Sequence, residues 1–196
     1  MTRSRAIRAA FLLAAILGGT TAASGDGWNG DANLLLGGKS LDKGNWAPTD
    51  RQGEIGVTTN WRGPQWPVAL AVDLLAASRS ASIASGGFTQ QKAQTSELDL
   101  GVRKTWTPDA HFRPFAGGGL ALASAEIDKT GPAGTVSAND GGTGIWIDGG
   151  VYWTLSEAFN LGFDVRITEA QVRLYGSAMN AGGFHFGLLA GYHWGR

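Results

Sequence analysis

The chain contains no cysteine, which excludes a disulfide framework and any thiolate metal site. It also lacks an apolar run long enough to cross a bilayer as a helix, which takes roughly 20 residues. The nearest candidate, Ala9 to Leu17, is short. It follows Arg3, Arg5 and Arg8 and precedes the small residues Gly18 to Ser24, the order of a secretory signal with its cleavage region. The reading is therefore a signal peptide over 1–24 and a mature domain over 25–196. An excess of positive charge is missing too. Sixteen bases balance sixteen acids, and losing three arginines with the leader leaves 13 − 16 = −3, which gives no reason to expect a nucleic-acid partner. Without a helical span, a mature chain that enters a membrane must do so as a closed barrel, which also satisfies every backbone group.

What the chain has in abundance is glycine (31) and tryptophan (eight), together with period-two alternation. In Phe159 to Thr168, the residues Phe159, Leu161, Phe163, Val165 and Ile167 share one face, opposite Asn160, Gly162, Asp164, Arg166 and Thr168. The last segment sets Phe184, Phe186, Leu188, Ala190, Tyr192 and Trp194 against His185, Gly187, Leu189, Gly191 and His193. Segments around 54–61, 68–74, 97–106 and 145–153 follow the same rule. Asn33 to Leu41 and Pro114 to Ile127 are too rich in glycine and alanine for a face assignment. The count is eight strands, and the fold class is all-β, an eight-stranded antiparallel up-and-down transmembrane barrel.

Connection lengths alternate. Short ones fall at Arg62 to Trp66, Thr107 to Arg113 and Leu155 to Ala158; long polar ones at Asp42 to Arg51, Arg79 to Gln94, Asp128 to Gly142 and Ala170 to Gly183. Short turns at one end and long loops at the other are the pattern of a bacterial outer-membrane barrel. Trp61, Trp66, Trp106, Trp153 and Trp194 cluster at the short-turn ends with Phe112 and Phe159, a girdle for one bilayer interface. Lys104, beside Trp106, is placed to snorkel. The soluble rival is a lipocalin-like barrel, whose short Gly-x-Trp signature Gly44-Asn45-Trp46 matches. Such a barrel turns its apolar face inward, and the aromatic girdle argues against it.

The signal peptide, Phe112-Arg-Pro-Phe-Ala-Gly-Gly-Gly-Leu120, the ending Gly187-Leu-Leu-Ala-Gly-Tyr-His-Trp194 and the stretch Asn33-Leu-Leu-Leu-Gly-Gly-Lys-Ser-Leu-Asp-Lys43 resemble the small outer-membrane β-barrel superfamily, the broad group related to OmpA and OmpW barrels. The resemblance covers essentially all of the mature chain. It implies architecture and a bacterial outer-membrane location rather than an activity. No peptidoglycan-binding domain is expected after the barrel.

A bore of eight strands is narrow and normally filled by side chains. The face opposite the apolar one carries Glu54, Asp73, Glu97, Asp99, Asp148 and Asp164 against Arg103 and Arg166, with Lys39 a third base if its strand is phased that way. The expectation is a partly wet charge network in which Arg103 and Arg166 serve Asp73, Asp148 and Asp164. Its bland role is to fill and rigidify the barrel; the sharper role is a narrow, weakly cation-preferring path. A lipid-modifying enzyme is a third class, but His111, His185 and His193 stand in no recognisable catalytic motif, since Phe186 and Gly187 follow His185. No cofactor and no metal are expected. Gly117-Gly118-Gly119 reads as crowded strand rather than phosphate loop. Trp46, Phe88 and Tyr175 are candidates to anchor a ligand or to brace the loops. The expected partners are outer-membrane lipid and an unidentified ligand at the outer loops, with the barrel monomeric.

Overall fold

The long strands of this chain have an outward apolar face and an inward face of polar, small and some large apolar residues (Leu35, Leu75, Phe115, Tyr152, Leu189), and eight of them close into a ring. The computed structural model describes residues 27–107, 111–156 and 158–195; the signal-peptide reading falls outside them. The strands are β1 (Asn29–Ser40), β2 (Arg51–Arg62), β3 (Ala69–Ser85), β4 (Phe88–Thr105), β5 (Phe112–Gly131), β6 (Gly134–Thr154), β7 (Phe159–Leu174), β8 (Ser177–Asn180) and β9 (Gly183–Trp194). One short helix, α1 (Lys43–Trp46), joins β1 to β2. From β1 to β7 consecutive strands pair antiparallel, β7 pairs with β9, and β9 pairs with β1 to close the ring. The small strand β8 folds back on the end of β7 and takes no part in closure. The result is an eight-stranded up-and-down barrel.

The two strands left unphased by composition are set by register. Leu35 pairs with Gly56 and Leu189, so Asp31, Asn33, Leu35, Gly37 and Lys39 face inward. In β5 the inward set runs from Arg113 through Phe115 to Ile127. The outer face is a continuous apolar band, with Leu34, Leu120, Ile145, Ile147, Phe186 and Leu188 all more than two-fifths exposed. A continuous exposed band is foreign to a soluble monomer. At the end with short turns, Trp66, Trp106, Phe112, Trp153 and Phe159 are exposed, and Trp61 and Trp194 are half-buried. Phe112 and Trp153 lie 5.9 Å apart between ring centroids. Lys104 donates to Pro67 O at 2.7 Å at this same end.

Three of the four segments expected as polar loops are strand instead. β3 and β4 have 17 and 18 residues, and β5 and β6 have 20 and 21, whereas spanning a bilayer takes roughly 9–11. Arg79 to Gln94 is thus a hairpin closed by Gly86-Gly87, whose φ values of +61° and +78° are those of a tight turn that suits the strand twist. Residues 128–142 form the β5–β6 hairpin, and Leu174 pairs with Ser177 across Tyr175-Gly176. Arg113, read as part of a turn, belongs to β5 and points into the bore.

Candidate functional site

Among the described residues, the bore buries seven acids (Asp31, Glu54, Asp73, Glu97, Asp99, Asp148, Asp164) and four bases (Lys39, Arg103, Arg113, Arg166). Asp31 and Arg113 were missed from sequence, since Asp31 precedes the alternating segment. These charges sort into three layers along the axis.

In the middle layer, Arg103 donates to Asp73 (2.7 Å) and through Nε and Nη2 to Asp148. Arg166 donates to Asp73 and Asp99, reaches Asp148 at 3.3 Å, and lies 3.8 Å from Asp164. Trp146 lies under both guanidiniums, at 5.7 and 4.8 Å from its ring to Arg103 and Arg166. Room for this indole comes from the row Ala71, Gly101, Gly119 and Trp146, which are paired in succession across β3 to β6. A Cβ on Gly119 would stand 2.2 Å from Leu100 O, so only glycine allows that approach. Removing one partner of a buried, hydrogen-bonded ion pair costs about 3–5 kcal/mol, and here each base serves several acids.

Toward the hairpin end, Lys39 donates to Glu97, to Thr95 Oγ1 (3.1 Å) and to Ala181 O (2.7 Å). His185 Nδ1 lies 2.8 Å from Glu54, and its Nε2 lies 3.7 Å from Glu97. The expected network residues Glu54 and Glu97 therefore belong to this layer, away from Arg103 and Arg166. Toward the turn end, Asp31 Oδ1 accepts from Arg113 and from Asn160 (2.8 Å), and lies 3.1 Å from His193 Nδ1.

Above the charges, α1 folds into the barrel mouth. Trp46 is fully buried and donates its indole N–H to Asn180 O at 2.9 Å. It packs with Leu41, Ala93, Ala125, Ile127, Val172 and Leu174 into an apolar cluster. Trp46 therefore braces the rim from inside. Tyr175 braces it as well, donating to Ile127 O at 2.9 Å; partial burial and the neighbouring Asp128 push its phenol pKa up. Phe88 sits at the start of β4, beside the Gly86-Gly87 turn, half-buried.

Beyond this cluster β3 to β6 continue as a four-stranded sheet. β3 is paired with β2 only as far as Ser78, so Arg79–Ser85 has β4 on one side and, among the described residues, no strand on the other. β6 is paired with β7 from Gly144 onward; beyond it the end of β7 still lies alongside, with Arg173 N donating to Asp140 Oδ2 (2.6 Å) and Tyr175 OH to Val136 O (3.3 Å).

No family model and no curated protein matches the sequence. Solved structures do match in fold. Neisserial surface protein A aligns with a TM-score of 0.58 at 14% identity, covering 86% of this chain and 96% of that one. The attachment invasion locus protein Ail of Yersinia pestis, in complex with the heparin analogue sucrose octasulfate, aligns with a TM-score of 0.57 at 7% identity over 86% of this chain and 99% of that one. Ail alone gives 0.52 at 8% identity, over 87% and 100%. At these identities the likeness is one of fold: the chain is a small eight-stranded barrel of the kind found in bacterial outer membranes.

Proposed function

We propose that this protein is a monomeric barrel of the bacterial outer membrane, closed along its bore, that acts through the sheet it raises above the membrane. Supporting the location are the leader, the apolar band and the aromatic ring at the short-turn end, which fits the periplasmic interface. The fold neighbours Neisserial surface protein A and Ail point the same way. Outer-membrane lipid is then its surrounding partner along the whole band.

The observation that carries the functional reading is the four-stranded sheet whose β3 margin, Arg79–Ser85, is unpaired among the described residues. An edge strand offers backbone donors and acceptors to an extended segment of another polypeptide. Ser80 to Ser85 has no charge and no proline, the usual devices for blunting such an edge. The bore offers less: its centre is crossed by ion pairs and its outer mouth is filled by the Trp46 cluster. Catalysis has no support either, because His185 is enclosed between Glu54 and Glu97, away from the lipid-facing surface. Nor does the outer surface favour a polyanion such as the one bound to Ail. There Lys43, Arg51, Arg79, Lys92, Lys129 and Arg173 are matched by Asp42, Asp50, Glu126, Asp128, Asp140 and Glu169.

The test is adhesion. Cells carrying the full barrel are compared with cells whose residues 82–90 are replaced by Asn-Gly, a turn that closes the Ala81–Gln91 pair. Adhesion to protein-coated surfaces that falls to the level of barrel-free cells supports the reading. Equal adhesion by all three strains contradicts it.

A further inference from the structure

We propose that the turn-end mouth of the bore is a binding site for a small molecule bearing a phosphate or carboxylate group. The bore opens there into a cavity of about 630 Å³, lined among others by Asp31, Asn60, Arg62, Arg103, Arg113 and His193, a volume in the range of small-ligand sites.

Its electrostatics differ from those of the rest of the bore. Asp31 is the one carboxylate among the described lining residues, and its Oδ1 is already engaged by Arg113, Asn160 and His193. Three guanidiniums, of Arg62, Arg103 and Arg113, line the same space. Arg103 forms the floor of the mouth and is bonded on its inner side to Asp73 and Asp148, so the mouth's own excess is Arg62 and Arg113 over Asp31. Beyond it four acids, Asp73, Asp99, Asp148 and Asp164, outnumber the two bases Arg103 and Arg166. An anion is therefore attracted to the mouth and repelled from the centre, so the mouth holds it without passing it on.

The hydrogen-bond inventory specifies the ligand further. Asn60 Nδ2, Arg103 Nη1 and Arg113 Nε are buried and have no partner among the described residues, on side chains that are 3%, 1% and 6% exposed. All three atoms only donate. A cation cannot satisfy them. The oxygens of a phosphate or carboxylate can, and charge-assisted bonds from guanidinium to such oxygens are roughly twice as strong as neutral ones. Anion binding follows from the cavity itself; that the turn-end mouth opens to the periplasm rests on the proposed orientation.

The experiment is nitrogen–proton NMR of the mature barrel folded in zwitterionic detergent micelles, which needs no membrane orientation. Inorganic phosphate and acetate are titrated separately against sodium chloride at matched ionic strength. The Arg113 Nε–H and the Asn60 side-chain amide should shift saturably with phosphate, with acetate or with both, and hold still in chloride. Saturation by phosphate alone assigns phosphorylated ligands, and by acetate alone carboxylates. Arg62→Gln, at a half-buried rim position where Nε donates to Asn29 Oδ1 at 3.1 Å, should raise the midpoint at least tenfold in a barrel that still folds. Shifts that are absent, that rise without saturating, or that chloride reproduces would overturn the proposal, leaving the donors to water.

Discussion

Asp73 on β3 and Arg166 on β7 stand four strands apart in a ring of eight, yet Arg166 Nη2 donates to Asp73 Oδ2 across the whole bore. Arg103 donates to the same oxygen. A single carboxylate thus ties opposite walls together and obstructs the axis at mid-height. Arg166→Gln removes the contacts to Asp73, Asp99 and Asp148 together and leaves buried carboxylates unpaired. The expected loss is about 3–5 kcal/mol, read from urea unfolding of the barrel in lipid vesicles. Adding Asp99→Asn to that variant should recover part of the loss, since it removes one of the stranded charges.

The Trp46 cluster gives a second prediction. Trp46→Ala empties a fully buried site and frees Asn180 O, at a cost of about 3–5 kcal/mol. The barrel wall does not depend on this residue. Heat-modified electrophoretic mobility should therefore still report a folded barrel, while cleavage by added protease within 41–50 should rise.

Glycines at two positions should answer oppositely to a methyl group. At Gly119 a Cβ would meet Leu100 O at 2.2 Å, whereas at Gly53 nothing lies within 4 Å. Gly119→Ala should lower the folded yield severalfold in refolding assays, and Gly53→Ala should leave it unchanged.

Depth-dependent quenching tests the membrane placement. Lipids brominated near the glycerol should quench Trp66, Trp106 and Trp153 more than lipids brominated near the chain ends, because these three lie exposed at one end of the band. Trp46 and Trp146, both buried inside, should respond to neither. Single-tryptophan variants resolve the contributions, and strong quenching of Trp146 would contradict an inward indole.

Strand number and facing were legible wherever one side of a strand meets an apolar surround, as from Phe159 to Ile167. They were illegible where both sides are wet. Arg79 to Gln94 is mostly serine, alanine, glutamine and glycine, with Ile83 and Phe88 isolated in it, so no hydrophobic period marks it as strand. Gly86-Gly87 was the available sign of a hairpin. The pairing of Arg103 and Arg166 with central acids followed from the inward parity of those positions. The three-layer arrangement did not, because it depends on register between strands: Lys39 meets Glu97 only once β1 is phased by Leu35 against Gly56 and Leu189. Trp46 stood in a polar segment, and the partner that buries it, Asn180, lies 134 residues away.

With its bore crossed by the ion pairs of Asp73 with Arg103 and Arg166, the barrel should be closed to ions. Single-channel recording of the mature barrel, refolded into a planar bilayer, tests it most directly. A folded protein with no discrete conductance is expected, in the wild type and in Asp148→Asn alike. Discrete cation-preferring steps that change in Asp148→Asn would contradict it and make the lumenal acids the lining of a pore.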